Sequence, residues 1–245
     1  MVAIAIFLLV FGIDRLVISQ RWPAFDPFRN LWRIWVPKVK SFMRSAPGTF
    51  TYLFVIVITA WVLQTSSSKI AEELLLERST NLRQLIRDPM RVLFGSAFWV
   101  SSAGELLFSL LAFSVVATAV ERWIGTARTA GVFFFGHVGA TLLVAFWIWA
   151  SLNFTVIKSP TTGARDVGSS YGLAAMAALL TYRLPPPRRW FYLSALVLLI
   201  GTALILDPSF TNWGHAFAFA LGLLSYVFIP GKVRRRRKPK SFFAL

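Results

Sequence analysis

The sequence predicts an all-α protein that crosses a lipid bilayer several times. Two observations carry that prediction. The 245-residue chain is 56% hydrophobic with a mean hydropathy of +0.64, more apolar surface than a soluble domain can hide. Its apolar residues gather into six runs of spanning length or close to it, separated by polar or basic connections. Lys and Arg outnumber Asp and Glu 26 to 10, for a net charge of +16. The cations lie between apolar runs and at the C-terminus, which suits anionic lipid headgroups and topology setting rather than nucleic acid. No cysteine is present, so disulfides, thiolate catalysis and Cys-based metal sites are excluded.

Taken in order, Met1 to Ile18 is apolar but broken by Asp14 and Arg15. An extra N-terminal span and an interfacial helix both fit it; a cleaved signal peptide fits less well, because no basic segment precedes the run. From Arg21 to Arg44 bases alternate with aromatics, including Trp22, Trp32 and Trp35, as in a helix lying in the headgroup layer. Phe50 to Leu63 is the first span, with Pro47 as an earlier start. Ser66 to Arg91 is the one long polar stretch. Within it Ile70, Leu74, Leu75, Leu82, Leu85 and Ile86 keep helical spacing, which predicts an amphipathic element ended by Asp88-Pro89. The remaining spans are Ala103 to Val120, Thr129 to Leu152, Val167 to Tyr182, Trp190 to Leu206 and Trp213 to Ile229. Each is long enough, or nearly so, to cross roughly 30 Å of hydrocarbon. The fourth is the shortest, as suits a helix buried among others.

Basic clusters fall on alternate connections: Arg21 to Arg44, Arg122 with Arg128, Arg183 with Arg188 and Arg189, and Lys232 to Lys240. The positive-inside rule then places both ends of the six-span core in the cytoplasm of a cell-membrane protein. The chain divides into an N-terminal part (1–46), the core (47–230) and a basic tail (231–245).

Chemistry concentrates at Gly168-Ser169-Ser170-Tyr171-Gly172 and at His215, one of only two histidines. In this topology the fourth and sixth spans enter from the same side, and Ser170 and His215 lie at matching depth. Gly214, Ala218 and Gly222 form a small-residue stripe on the sixth span; Ser170, Ala174 and Ala178 form another on the fourth, with Gly168 and Gly172 beside it. Such stripes let helices approach closely in lipid, as a Ser–His hydrogen bond requires. Alternative hydrolytic sites are missing from the sequence. It has no HExxH motif, no aspartate pair within a span and no lysine in a core span, and it calls for no metal or cofactor. Ser170 with His215 as base is the nucleophilic pair that can be written. Ordinary helix packing is the competing reading of the same stripes. His137, within Gly136-His137-Val138-Gly139, is read as a histidine bonded inside the bundle, on the cytoplasmic half and away from Ser170.

These pieces resemble the rhomboid family of intramembrane serine proteases, in an actinobacterial-type rhomboid-like branch, over roughly Pro47 to Pro230. Gly168-Ser169-Ser170 matches the family's Gly-x-Ser. His215 with Ala218 and Gly222 matches its His-x-x-Gly-x-x-x-Gly. Gly104 to Ser109 resembles the entry to its second span, and Glu121 to Gly125 the turn into its third. The resemblance implies a six-helix rhomboid-like bundle in which Ser170 attacks a peptide bond of a membrane-spanning substrate and His215 takes the proton. The family's His-x-x-x-Asn, which helps to hold the oxyanion, reads here Glu105 and Ser109. Tyr171 follows the nucleophile where glycine is usual; its ring either narrows the cavity or offers its hydroxyl as a donor. Glu105, Ser109 and Tyr171 are thus the oxyanion candidates that the resemblance implies. A catalytically silent relative that binds transmembrane clients is the alternative.

Overall fold

The computed structural model describes residues 26–80, 82–154 and 168–234. Met1 to Ile18, most of the expected 153–166 loop and the tail beyond Arg234 lie outside the described residues. Among the described residues every regular element is helical, as the apolar periodicities predict.

The described residues begin with α1 (Asp26–Arg44), an amphipathic helix in which Lys38 lies over the Trp35 ring. A break at Ser45 and Ala46 precedes α2 (Pro47–Thr65), which starts with proline at its first turn, where no intrahelical donor is lost. The polar stretch is three short helices, not one amphipathic element: α3 (Ser68–Arg78), α4 (Leu82–Arg87) and α5 (Pro89–Gly95). The reason is local. Ser79 ends α3 with extended backbone and is fully buried, and Asp88 accepts a hydrogen bond from the Arg91 N–H, so it caps a new helix as well as stopping the old one. A 3₁₀ turn, Ser96–Phe98, follows.

Then come α6 (Ala103–Ile124), α7 (Thr126–Phe154), α8 (Ser170–Leu180), α9 (Arg188–Leu206), α10 (Phe210–Leu224) and α11 (Gly231–Arg234). Four of these helices, α2, α6, α7 and α9, are long and apolar enough to cross a membrane. The fourth and sixth expected spans come out shorter than their apolar runs. α8 has 11 residues and α10 has 15, about 16 Å and 22 Å of helix, each continued by a 3₁₀ turn. Both are the inner helices. α8 packs against α6, α7 and α10, and eight of its residues are buried. By contrast α9 has no buried residue and presents Phe191, Leu198, Leu199 and Ile205 outward, as a lipid-facing helix must.

Two devices hold the bundle. The first is aromatic and aliphatic filling between α2, α6 and α8 around Ile56, Phe113, Trp123, Met176 and Leu179. The second is the Glu121 carboxylate, which is 4% exposed. Its oxygens accept from the Gly48 N–H (2.9 Å), the Thr49 N–H (2.7 Å) and the hydroxyls of Thr49 and Thr126 (both 2.6 Å). An anion set at the N-terminus of α2 satisfies two of its open N–H groups and meets the positive end of its dipole.

Candidate active site

The Gly-x-Ser turn is fastened from behind. Gly168 has φ +131°, a left-handed conformation that glycine adopts at little cost, and its N–H donates to the Ser96 carbonyl at 3.1 Å. Ser96 belongs to the 3₁₀ turn, which α2 grips in turn: the hydroxyls of Tyr52 and Thr59 donate to the carbonyls of Ala97 and Phe98, each at 2.6 Å. Ser169 stands at the cap position of α8 and is buried. Ser170 is therefore the first residue of α8 and is half-buried.

Tyr171 is the pivot of the site. Its buried ring leans between α7 and α10. It meets the His215 ring edge-on with centroids 5.1 Å apart, and the His137 ring at 6.2 Å. A Cβ at Gly214 would collide with the ring carbon and hydroxyl of Tyr171, so the hydroxyl end lies directly over the α10 backbone. This is the close approach that the small-residue stripes predict. Gly214, Ala218 and Gly222 are the buried residues of α10. On α8 the partners include Tyr171, which meets Gly214, Ala174, which packs with Ala218, and the Ala175 backbone, which meets Gly222. Gly172 serves the other neighbour, giving its space to Phe133 of α7.

Ser170 opens α8 and His215 lies on α10, across the contact that Tyr171 makes. Glu105, the third residue of α6, is held as an acceptor. Its Oε2 takes the N–H and the hydroxyl of Ser101, each at 2.7 Å, while Ser102 caps the helix and accepts from the Glu105 N–H at 3.1 Å. The other oxygen, Oε1, faces Gly168. Ser109 lies one turn further along α6 and is buried.

The expected separation of His137 from Ser170 is corrected. His137 is 1% exposed and adjoins Tyr171, the neighbour of Ser170. The correction follows from depth: α8 starts only at Ser170, so the Gly-x-Ser turn descends to the middle of α7. Nε2 of His137 lies 3.0 Å from the Ser96 Oγ, which ties this ring to the same turn. The sequence marks His137 as an intramembrane ionisable group; it carries no local sign that Ser96 is its partner.

A family model described as rhomboid-like protein matches residues 41–235. No curated protein matches the chain. The match spans every helix from α2 to α11, including the Gly-x-Ser turn, Tyr171 and His215. The chain belongs to the rhomboid-like protein family and is a multi-pass, all-α membrane protein.

Proposed function

We propose that this protein is an intramembrane serine protease in which Ser170 is the nucleophile and His215 the general base. The observation that supports it most directly is the Tyr171–His215 ring contact, which joins the residue after Ser170 to the histidine across two closely packed helices. In the reaction the Ser170 Oγ attacks the carbonyl carbon of a membrane-spanning substrate and His215 takes its proton. The histidine then returns that proton to the leaving amine, and a water hydrolyses the acyl-enzyme by the same route. Ser170 opens α8, so the helix N-terminus offers N–H groups and a positive potential to the oxyanion. A Ser170–His215 hydrogen bond forms on substrate binding, as catalytic contacts commonly tighten in the complex.

A second reading is a client-binding relative without hydrolysis. One specific observation favours it: the Glu105 carboxylate beside Gly168, where an acceptor repels a developing anion. Losing one oxyanion donor alone costs about 10²–10³ in rate. Reaction of the purified protein with a fluorophosphonate, alongside cleavage of a model transmembrane substrate, separates the two. Labelling that disappears in Ser170→Ala and falls in His215→Ala supports the protease. Wild type and Ser170→Ala equally unreactive, with the transmembrane peptide still bound, supports the client-binding reading.

The setting that goes with this function is the cell membrane, with the core's first and last ends cytoplasmic and the cut near the outer face. The basic segments of parts 1–46 and 231–245 rest on anionic lipid, outside the 47–230 core.

A further inference from the structure

A cavity of about 470 Å³ lies between α2, α6 and α7, away from Ser170 and His215. Its walls are apolar, with Tyr52, Val55, Phe113, Phe133 and Met176 among them. The one carboxylate at its end, Glu121, has both oxygens occupied by the four donors described above. Its shape is set by three helices that give the same length. The lining runs from Pro47 to Val55 on α2, from Glu121 back to Phe113 on α6 and from Thr126 to Phe134 on α7. Each is about 12 Å at 1.5 Å per residue. A slot of that length and volume, apolar along its walls, suits a hydrocarbon chain laid end to end.

Charge says which end carries the headgroup. A second hollow of about 420 Å³ shares Pro47 and Thr51 with the cavity and is bordered by Lys40 and Arg44 at the end of α1. Both cations border the hollow that adjoins the cavity at Pro47 and Thr51. Ala130 of α7 and Thr51 of α2 line the cavity from different helices and are exposed.

We propose that the α2–α7 cavity holds one acyl chain of an anionic phospholipid whose phosphate lies against Lys40 and Arg44. The site is independent of the protease reading. It makes the junction between α1 and α2 a lipid-reading element.

Native mass spectrometry of the full chain, released from an equimolar mixture of phosphatidylglycerol and phosphatidylcholine, tests it. Wild type should retain phosphatidylglycerol over phosphatidylcholine by about thirtyfold, the factor that two cations at an anionic headgroup supply. Lys40→Glu with Arg44→Glu should abolish that preference. Ala130→Trp should remove the retained lipid whatever its headgroup, and Thr51→Trp, on a different helix, should do the same without sharing its folding risk. Overturning results are a wild type that retains neither lipid, a headgroup preference that survives the double reversal, or lipid retention unchanged in both tryptophan variants. Displacement of the lipid by a transmembrane peptide would also overturn it, since the groove would then be a helix site.

Discussion

Nε2 of His137 donates to the Ser96 Oγ at 3.0 Å, and the direction of that bond is fixed by the serine. Ser96 has one hydroxyl proton, and it goes to the Val92 carbonyl at 2.7 Å. The proton between serine and histidine must then sit on Nε2. Nδ1 is left a buried acceptor without a protein partner. Through the Ser96 carbonyl, which receives the Gly168 N–H, this pair fastens the turn that carries Ser170.

His137→Leu should therefore destabilise the protein by about 1–3 kcal/mol, because it strips the buried Ser96 Oγ of its donor. His137→Gln, whose amide nitrogen reaches the position of Nε2, should recover most of the loss. Thermal unfolding of the variants in one detergent measures the order: wild type, then Gln, then Leu. If Gln proves no better than Leu, the bond to Ser96 is not what the ring supplies.

Glu121 should be less replaceable than its neutral shape suggests. Glu121→Gln presents an amide N–H₂ to donors from Gly48, Thr49 and Thr126, so one side of the site loses its acceptor. Charge-assisted hydrogen bonds are worth about 1.5–3 kcal/mol, and the substitution should cost that much at least. Thr126→Val removes only one donor and should cost less. Chemical or thermal unfolding of the two variants gives the comparison.

Three glycine-to-alanine substitutions should rank by what the new methyl meets. At Gly222 it runs into the Ala175 backbone, which cannot yield without moving α8, and about 1–3 kcal/mol of overpacking is expected. At Gly214 it meets the Tyr171 ring, which must swing away from His215. At Gly139 it meets only the end of the Leu221 side chain, and little change is expected. Unfolding temperatures should fall in that order. In a reactive wild type, fluorophosphonate labelling of Ser170 should fall more in Gly214→Ala than its stability does.

The absence of native cysteine makes orientation directly measurable. With the core ends cytoplasmic, Lys69→Cys and Asp207→Cys should react with an impermeant maleimide in intact cells. Arg188→Cys and Lys232→Cys should react only after permeabilisation. All four positions are exposed. The reverse pattern would turn the bundle over and place Ser170 near the inner face.

The fold was legible in the sequence wherever hydrophobic period alone decides it. α2, α6, α7 and α9 start and stop within a few residues of their apolar runs. The depth of Ser170 was not legible, because it depends on how far the chain descends before α8 begins, and apolar side chains continue on both sides of that point. The glycine stripe on α10 could be read from its four-residue spacing. The place of Tyr171 in that contact could not, because its ring lies over Gly214, a distant residue in the chain. The Ser96–His137 bond and the Glu121 hub join side chains far apart in sequence, and neither leaves a local pattern.

That hub also orders the making of the protein. When α2 leaves the ribosome, its first N–H groups at Gly48 and Thr49 have only water as acceptor, and the carboxylate that replaces it comes with residue 121. The opening helix must wait at the edge of the bilayer, with its end in water, until α6 delivers a carboxylate to it. Insertion and folding are thereby coupled across the first half of the chain, and a nascent chain that stops short of α6 would hold a helix that is threaded but not yet locked.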